Sequence, residues 1–179
     1  SDVYKRQLAI HVKGLEPAGY DPRGLWGTGL GYGVSVRGAC HLRHIFYSIE
    51  LKGIFNRFEL SEEKVRALID WENKCAFMDS LLLCRFTRYS FGWEEMAKAY
   101  SLATGRELST REAAEIASEI ITLARKFNER EGLTTADDML PDRFYEEPVN
   151  GWTVDRRAYV RALETYYTLR GWRTTEAGS

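Results

Sequence analysis

The 179-residue chain has little sulfur: three cysteines, Cys40, Cys75 and Cys84, an odd and sparse set. That excludes a disulfide framework and favours a reducing compartment, here expected to be the cytoplasm. It has no charge of one sign in excess, with 25 Lys plus Arg against 26 Asp plus Glu. So it offers no continuous basic track for nucleic acid and no field for an anionic membrane. No apolar run approaches the ~18–20 residues of a membrane-spanning helix. No secretory leader is recognisable, and the first residue is Ser. Nor does it lack apolar residues enough to be disordered, since 44% are hydrophobic and 13% aromatic.

Helical patterns dominate from about residue 61. Ser61-Glu62-Glu63 starts one helix, which carries Val65, Leu68, Ile69, Ala76 and Phe77 and reaches the low eighties. Ser90 is the expected cap of a second, with Trp93, Met96, Ala97 and Tyr100, stopped by Gly105. Ser109 and Glu112 form a capping box for a third, whose expected apolar face is Ala113, Ile116, Ala117, Ile120, Ile121, Ala124 and Phe127. A connector over 133–154 leads to a last helix near 155–170, stopped by Gly171. The expected fold is all-α. Residues 8–12 read as a short strand or extended arm, and residues 1–7 as a non-native or disordered leader. Residues 8–179 form one helical region, divisible into two packed subdomains near 88–108.

Three segments carry chemistry. Gly27, Gly29, Gly31 and Gly33 alternate with period two, which does not give the Gly-x-Gly-x-x-Gly of a dinucleotide site. They signal close backbone packing, or a backbone passing a bulky cofactor. Cys40-His41-Leu42-Arg43-His44 holds a thiol and two imidazoles, but no second cluster completes a zinc site. A histidine there serves as acid, base or hydrogen-bond donor, or is structural. Asp79 and Cys84 lie roughly 500° apart around a helix and so share no helical face. A helix ending between them lets the turn aim both at one object. Taken alone, Cys84 reads as a buried apolar thiol rather than a ligand.

The stretches VKGLEPAGYDPRGLWGTGLGYGVSVRGACHLR (12–43), WENKCAFMDSLLLCRFT (71–87), KFNEREGLTTADDMLPDRFYEEP (126–148) and ALETYYTLRGW (162–172) resemble the aldehyde:ferredoxin oxidoreductases, tungsten-pterin enzymes. The resemblance is to their C-terminal helical domains only. It implies a fragment lacking an N-terminal β-rich cofactor domain, and an exposed apolar, Gly-lined face toward that domain. It also implies a tungstopterin or molybdopterin with two pterins per metal, a [4Fe-4S] cluster, ferredoxin as electron acceptor and a small aldehyde as substrate. A homo-oligomer is compatible with it. Asp79, Leu83 and Cys84 match the family's Asp-x-x-Gly-Leu-Cys motif, with Leu82 where Gly is usual. The Asp of that motif bonds a pterin, and its Cys is the fourth ligand of the cluster. The other three ligands come from a Cys-x-x-Cys-x-x-x-Cys segment that this sequence does not contain. Alone, the chain is then expected to hold no stable cluster. His41 matches the active-site histidine, and Arg43 a basic pterin-contacting position. The rival reading is a stand-alone helical interaction module without redox activity.

Overall fold

The computed structural model describes residues 9–172 and is helical, with no strand among them. The leader expected at residues 1–7 lies outside the described residues. The arm expected at 8–12 is no strand: over its described part, it is a turn closed by paired hydrogen bonds between Val12 and Leu15. Seven α-helices follow: α1 (Trp26–Val34), α2 (Tyr47–Leu51), α3 (Glu62–Ser80), α4 (Trp93–Thr104), α5 (Thr110–Arg130), α6 (Arg143–Glu146) and α7 (Arg156–Arg170). Short 3-10 turns lie at His41–Arg43, Arg85–Thr87 and Thr135–Asp138. No described helix is long and apolar enough to cross a membrane.

Local chemistry sets most of the helix ends. The Ser61 and Asp155 side chains accept from the backbone N–H of Lys64 and Ala158, and Ser109 and Glu112 cap reciprocally. The start of α4 differs from the reading above. Its N-cap is Gly92, not Ser90, and the Glu95 carboxylate accepts the Gly92 N–H at 2.8 Å. A distal carboxylate thus satisfies an orphan donor that a serine was expected to satisfy.

Helix α3 packs on both α5 and α7 and links two apolar clusters. The larger one gathers α1, α2, the first half of α3, α6 and α7, with Tyr32, Phe46, Leu68, Tyr159 and Tyr166 fully buried. The smaller one joins Phe77 and Met78 of α3, Met96 and Ala97 of α4, and Ala113 and Ala117 of α5. Only part of the expected α5 face is covered. Ile116, Ile120 and Phe127 are exposed, whereas Arg125 is buried, drawn inward by Asp138.

The glycines explain α1. Four glycines in nine residues weaken a helix by roughly 1 kcal/mol each, so tertiary contacts must hold it. A Cβ on Gly27 would meet Lys64 and Phe46 at 2.6 and 2.7 Å, and one on Gly31 would meet the His44 ring at 2.6 Å. On Gly33 it would run into Tyr159 and the Asp138 carbonyl. The expected exposed, Gly-lined face is therefore not found. These glycines are inside, against the chain's own side chains.

Buried charges close the interior. Helix α1 has no local cap; Glu50 takes the N–H groups of Gly27 and Thr28 at 2.8 Å each and pairs with Lys64 at 2.6 Å. Glu72 pairs with Arg170 at 2.9 Å and accepts from Tyr166 at 2.6 Å. Asp138 holds Lys13 and Arg125 at 2.6 Å each and accepts from the Tyr167 hydroxyl. Every buried carboxylate thus has a buried cation, the arrangement that avoids an uncompensated charge in low dielectric.

Candidate functional site

Helix α3 ends at Ser80 in a Schellman turn. The Leu83 N–H donates to the Met78 carbonyl at 2.9 Å and the Leu82 N–H to the Asp79 carbonyl at 3.0 Å. The same pair of bonds ends α5 at Gly132 and α7 at Gly171, both with positive φ. At α3 the left-handed position is Leu82, with φ 57°. A branched residue there carries about 1–2 kcal/mol of strain. The Leu82 side chain is 93% exposed, while Leu83 packs inward on the smaller apolar cluster. The turn reverses the chain so that Asp79, on the last helical turn, and Cys84, just past it, are both exposed.

Two arginines converge on Asp79. Arg43 Nη1 lies 2.9 Å and Arg85 Nη2 2.7 Å from its Oδ2. Arg85 Nε also donates to the Leu42 carbonyl at 3.0 Å. This junction ties the 3-10 turn carrying His41 to the end of α3. His41, Arg43, Asp79 and Cys84, predicted from the sequence, thus lie on two neighbouring turns. Arg85 was not anticipated; its position next to Cys84 was the only available signal.

The two histidines of the segment differ. His44 is fully buried, and its Nδ1 accepts the Phe46 N–H at 3.1 Å. Its Nε2 therefore carries the proton in the neutral ring, and this atom has no partner. Burial, with His41 nearby, holds its pKa down to about 3. His44 is thus neutral and structural at ordinary pH. His41 is only partly covered, and burial shifts its pKa downward. Its ring centroid lies 5.5 Å from Tyr20 and 5.8 Å from Tyr47, which stack on each other at 3.8 Å. A neutral imidazole at an open aromatic edge can accept or donate one hydrogen bond. Cys40 and Cys75 are buried, and burial pushes the Cys75 thiol up to about 12. Among the described residues, Cys84 is the one exposed thiol, and no three His, Cys, Asp or Glu side chains form a metal site.

An exposed carboxylate, a lone exposed thiol and a partly covered imidazole thus lie on adjoining turns of a helical domain. The sequence profile described as "Aldehyde ferredoxin oxidoreductase, domains 2 & 3" matches residues 2–177, and the chain belongs to that family. It is 37% identical to the tungsten-containing aldehyde ferredoxin oxidoreductase of Pyrococcus furiosus, over 96% of this chain and 29% of that protein. The enzyme of the same description from Thermococcus kodakarensis is also 37% identical, with the same coverage of 96% and 29%. That from Pyrococcus horikoshii is 37% identical over 93% of this chain and 28% of its own length. The chain thus spans less than a third of the relatives it matches.

Proposed function

We propose that this chain is the helical, cofactor-facing part of a tungsten- or molybdenum-pterin oxidoreductase of the cytoplasm. The reaction is oxidation of an aldehyde with water to a carboxylic acid, releasing two protons and passing two electrons to ferredoxin. The observation that carries the reading is the junction of Arg43, Asp79 and Arg85 beside exposed Cys84, on the turn next to His41.

The residues present fit one side of such a cofactor. Asp79 is an accessible carboxylate held from behind by two guanidinium groups, suited to accept N–H bonds from a pterin ring while Arg43 donates to it. Cys84 offers one thiolate of the four that a [4Fe-4S] cluster takes, and the buried Cys40 and Cys75 offer none. The remaining ligands must come from another segment. The metal–pterin group, when bound, supplies the two-electron redox chemistry, and the protein binds and orients. His41 Nε2 or Nδ1 would accept the proton that water loses as it adds to the aldehyde carbon, and pass it outward. The Tyr20–Tyr47 stack holds that ring and keeps water off one side of it.

The rival reading, a helical interaction module without redox activity, draws on one feature: the interior closes on its own ion pairs. Expression of the complete reading frame upstream and downstream of the chain, with tungstate or molybdate and iron, decides between them. The expected outcome is bound metal, a four-iron EPR signal lost in Cys84→Ala, and aldehyde-dependent ferredoxin reduction abolished in His41→Ala. A complete frame without three further cluster cysteines, purifying free of metal, would overturn the proposal.

A further inference from the structure

Beyond Tyr47 the rim changes from aromatic to cationic. Tyr89 is 56% exposed, with Lys52 Nζ 3.9 Å and the Arg88 guanidinium 4.6 Å from its ring centroid. Some exposed arginines are neutralised: Arg66, Arg111, Arg143 and Arg156 each hold a carboxylate within 2.6–2.8 Å. Among the described residues, Lys52 and Arg88 have no such partner. Arg88 Nη1 reaches only the Arg85 carbonyl, and its Nε is buried with no acceptor. Bonding to Ser48, then to Lys52 and Arg88, holds the Tyr89 phenol down to about 8. Ser48 follows Tyr47 in α2, and Tyr47 itself feels the charge of Arg88. The aromatic group of His41, Tyr20 and Tyr47 is thus joined through Ser48, the next residue of α2, to Tyr89 and its two cations.

We propose that Lys52 and Arg88, gathered on the Tyr89 ring, form an anion subsite for the far end of the substrate, so that the preferred aldehydes carry a second, negatively charged group. The inference rests on the oxidoreductase reading and names its substrate class. The aldehyde end lies at His41, the apolar middle along the Tyr20–Tyr47 stack, and a carboxylate or phosphate at the cations. Holding two cations together without a partner is unfavourable in the free protein, and an anion relieves it. No new covalent step is involved; the subsite acts by binding and orientation.

The test compares benzaldehyde, 4-formylbenzoate and a short aliphatic aldehyde bearing a phosphate monoester, using the metal-loaded complete enzyme. The expected result is a preference for a charged aldehyde. It falls about tenfold or more in kcat/KM in Lys52→Met and Arg88→Met, while benzaldehyde turnover is unchanged. Whichever charged substrate falls more identifies the anion. An equal fall for charged and neutral aldehydes, or no fall, overturns the subsite and leaves the redox function standing. No oxidation of any aldehyde overturns the functional reading instead. In that case benzoate and inorganic phosphate are titrated into the 179-residue chain by NMR. Movement of the Tyr89 ring resonances, absent in the Lys52→Met/Arg88→Met double variant, supports the subsite, and no movement overturns it.

Discussion

The interior around α1 and the rim around the end of α3 solve opposite problems. Around α1 each buried carboxylate has a cation from elsewhere in the chain: Glu50 with Lys64, Glu72 with Arg170, Asp138 with Lys13 and Arg125. At the rim, polar and apolar groups are left open. Asp79 is half-exposed, Cys84 is exposed, Phe86 is 89% exposed, and Lys52 and Arg88 lack carboxylates. The contrast separates what makes the body fold from what it presents. Substitutions inside should cost stability, and substitutions on the rim should leave it intact or improve it.

The most severe break of that contrast is Lys64→Met. Methionine keeps much of the apolar stem beneath Gly27 but leaves Glu50 buried without its cation. A loss of about 3–5 kcal/mol is expected by urea unfolding; a loss below about 1 kcal/mol would show that the pair does not close the interior. Gly31→Ala comes next. Its methyl would sit 2.6 Å from the His44 ring, and expelling that ring should cost about 3 kcal/mol. The thermal midpoint, compared with that of Gly19→Ala at an exposed bend with open space around it, separates crowding from a general effect of losing glycine.

Acid sharpens the contrast further. His44 has a folded pKa of about 3, below the ordinary value of 6.5. The unfolded chain therefore takes up the proton first, and stability falls as pH drops from about 6.5 toward 3. The slope from this one residue is about 1.4 kcal/mol per pH unit. Burial raises the pKa of Glu72, with Arg170 opposing, so Glu72 acts in the other direction at acid pH. His44→Asn, which keeps an acceptor for the Phe46 N–H, should flatten the slope between pH 6 and 4. An unchanged slope would assign the acid sensitivity elsewhere. The smallest effect is a gain. Leu82→Gly relieves the left-handed residue and loses no packing, so stability should rise by about 1 kcal/mol, read as a higher urea midpoint.

The long helices were legible because their signals are local. Ser61, Ser109 and Gly171 act where their residue types predict. Helix α1 was not legible as a helix, since its glycines are poor formers and its cap, Glu50, is supplied from 23 residues away. Three of the seven residues in the α5 stripe stay exposed, because periodicity marks apolar positions without saying which flank a neighbour covers. Within the site, His41, Arg43, Asp79, Leu83 and Cys84 were assigned to the site only through resemblance, and the structure brings Asp79 beside Arg43. Arg85, Tyr20 and Tyr47 were not singled out. Their roles depend on a junction between residues 42 and 85 and on ring stacking across 27 residues, and neither leaves a pattern in sequence.

The meeting of charges at Asp138 has a consequence for cutting the chain. Lys13, Arg125 and Asp138 precede the exposed tip at Asn150–Gly151, whereas Tyr159 and Tyr167 follow it and donate to Asp138. Glu72 and Arg170 straddle the same point. A protease that severs the tip should therefore yield two peptides on a denaturing gel and one undivided particle in native solution.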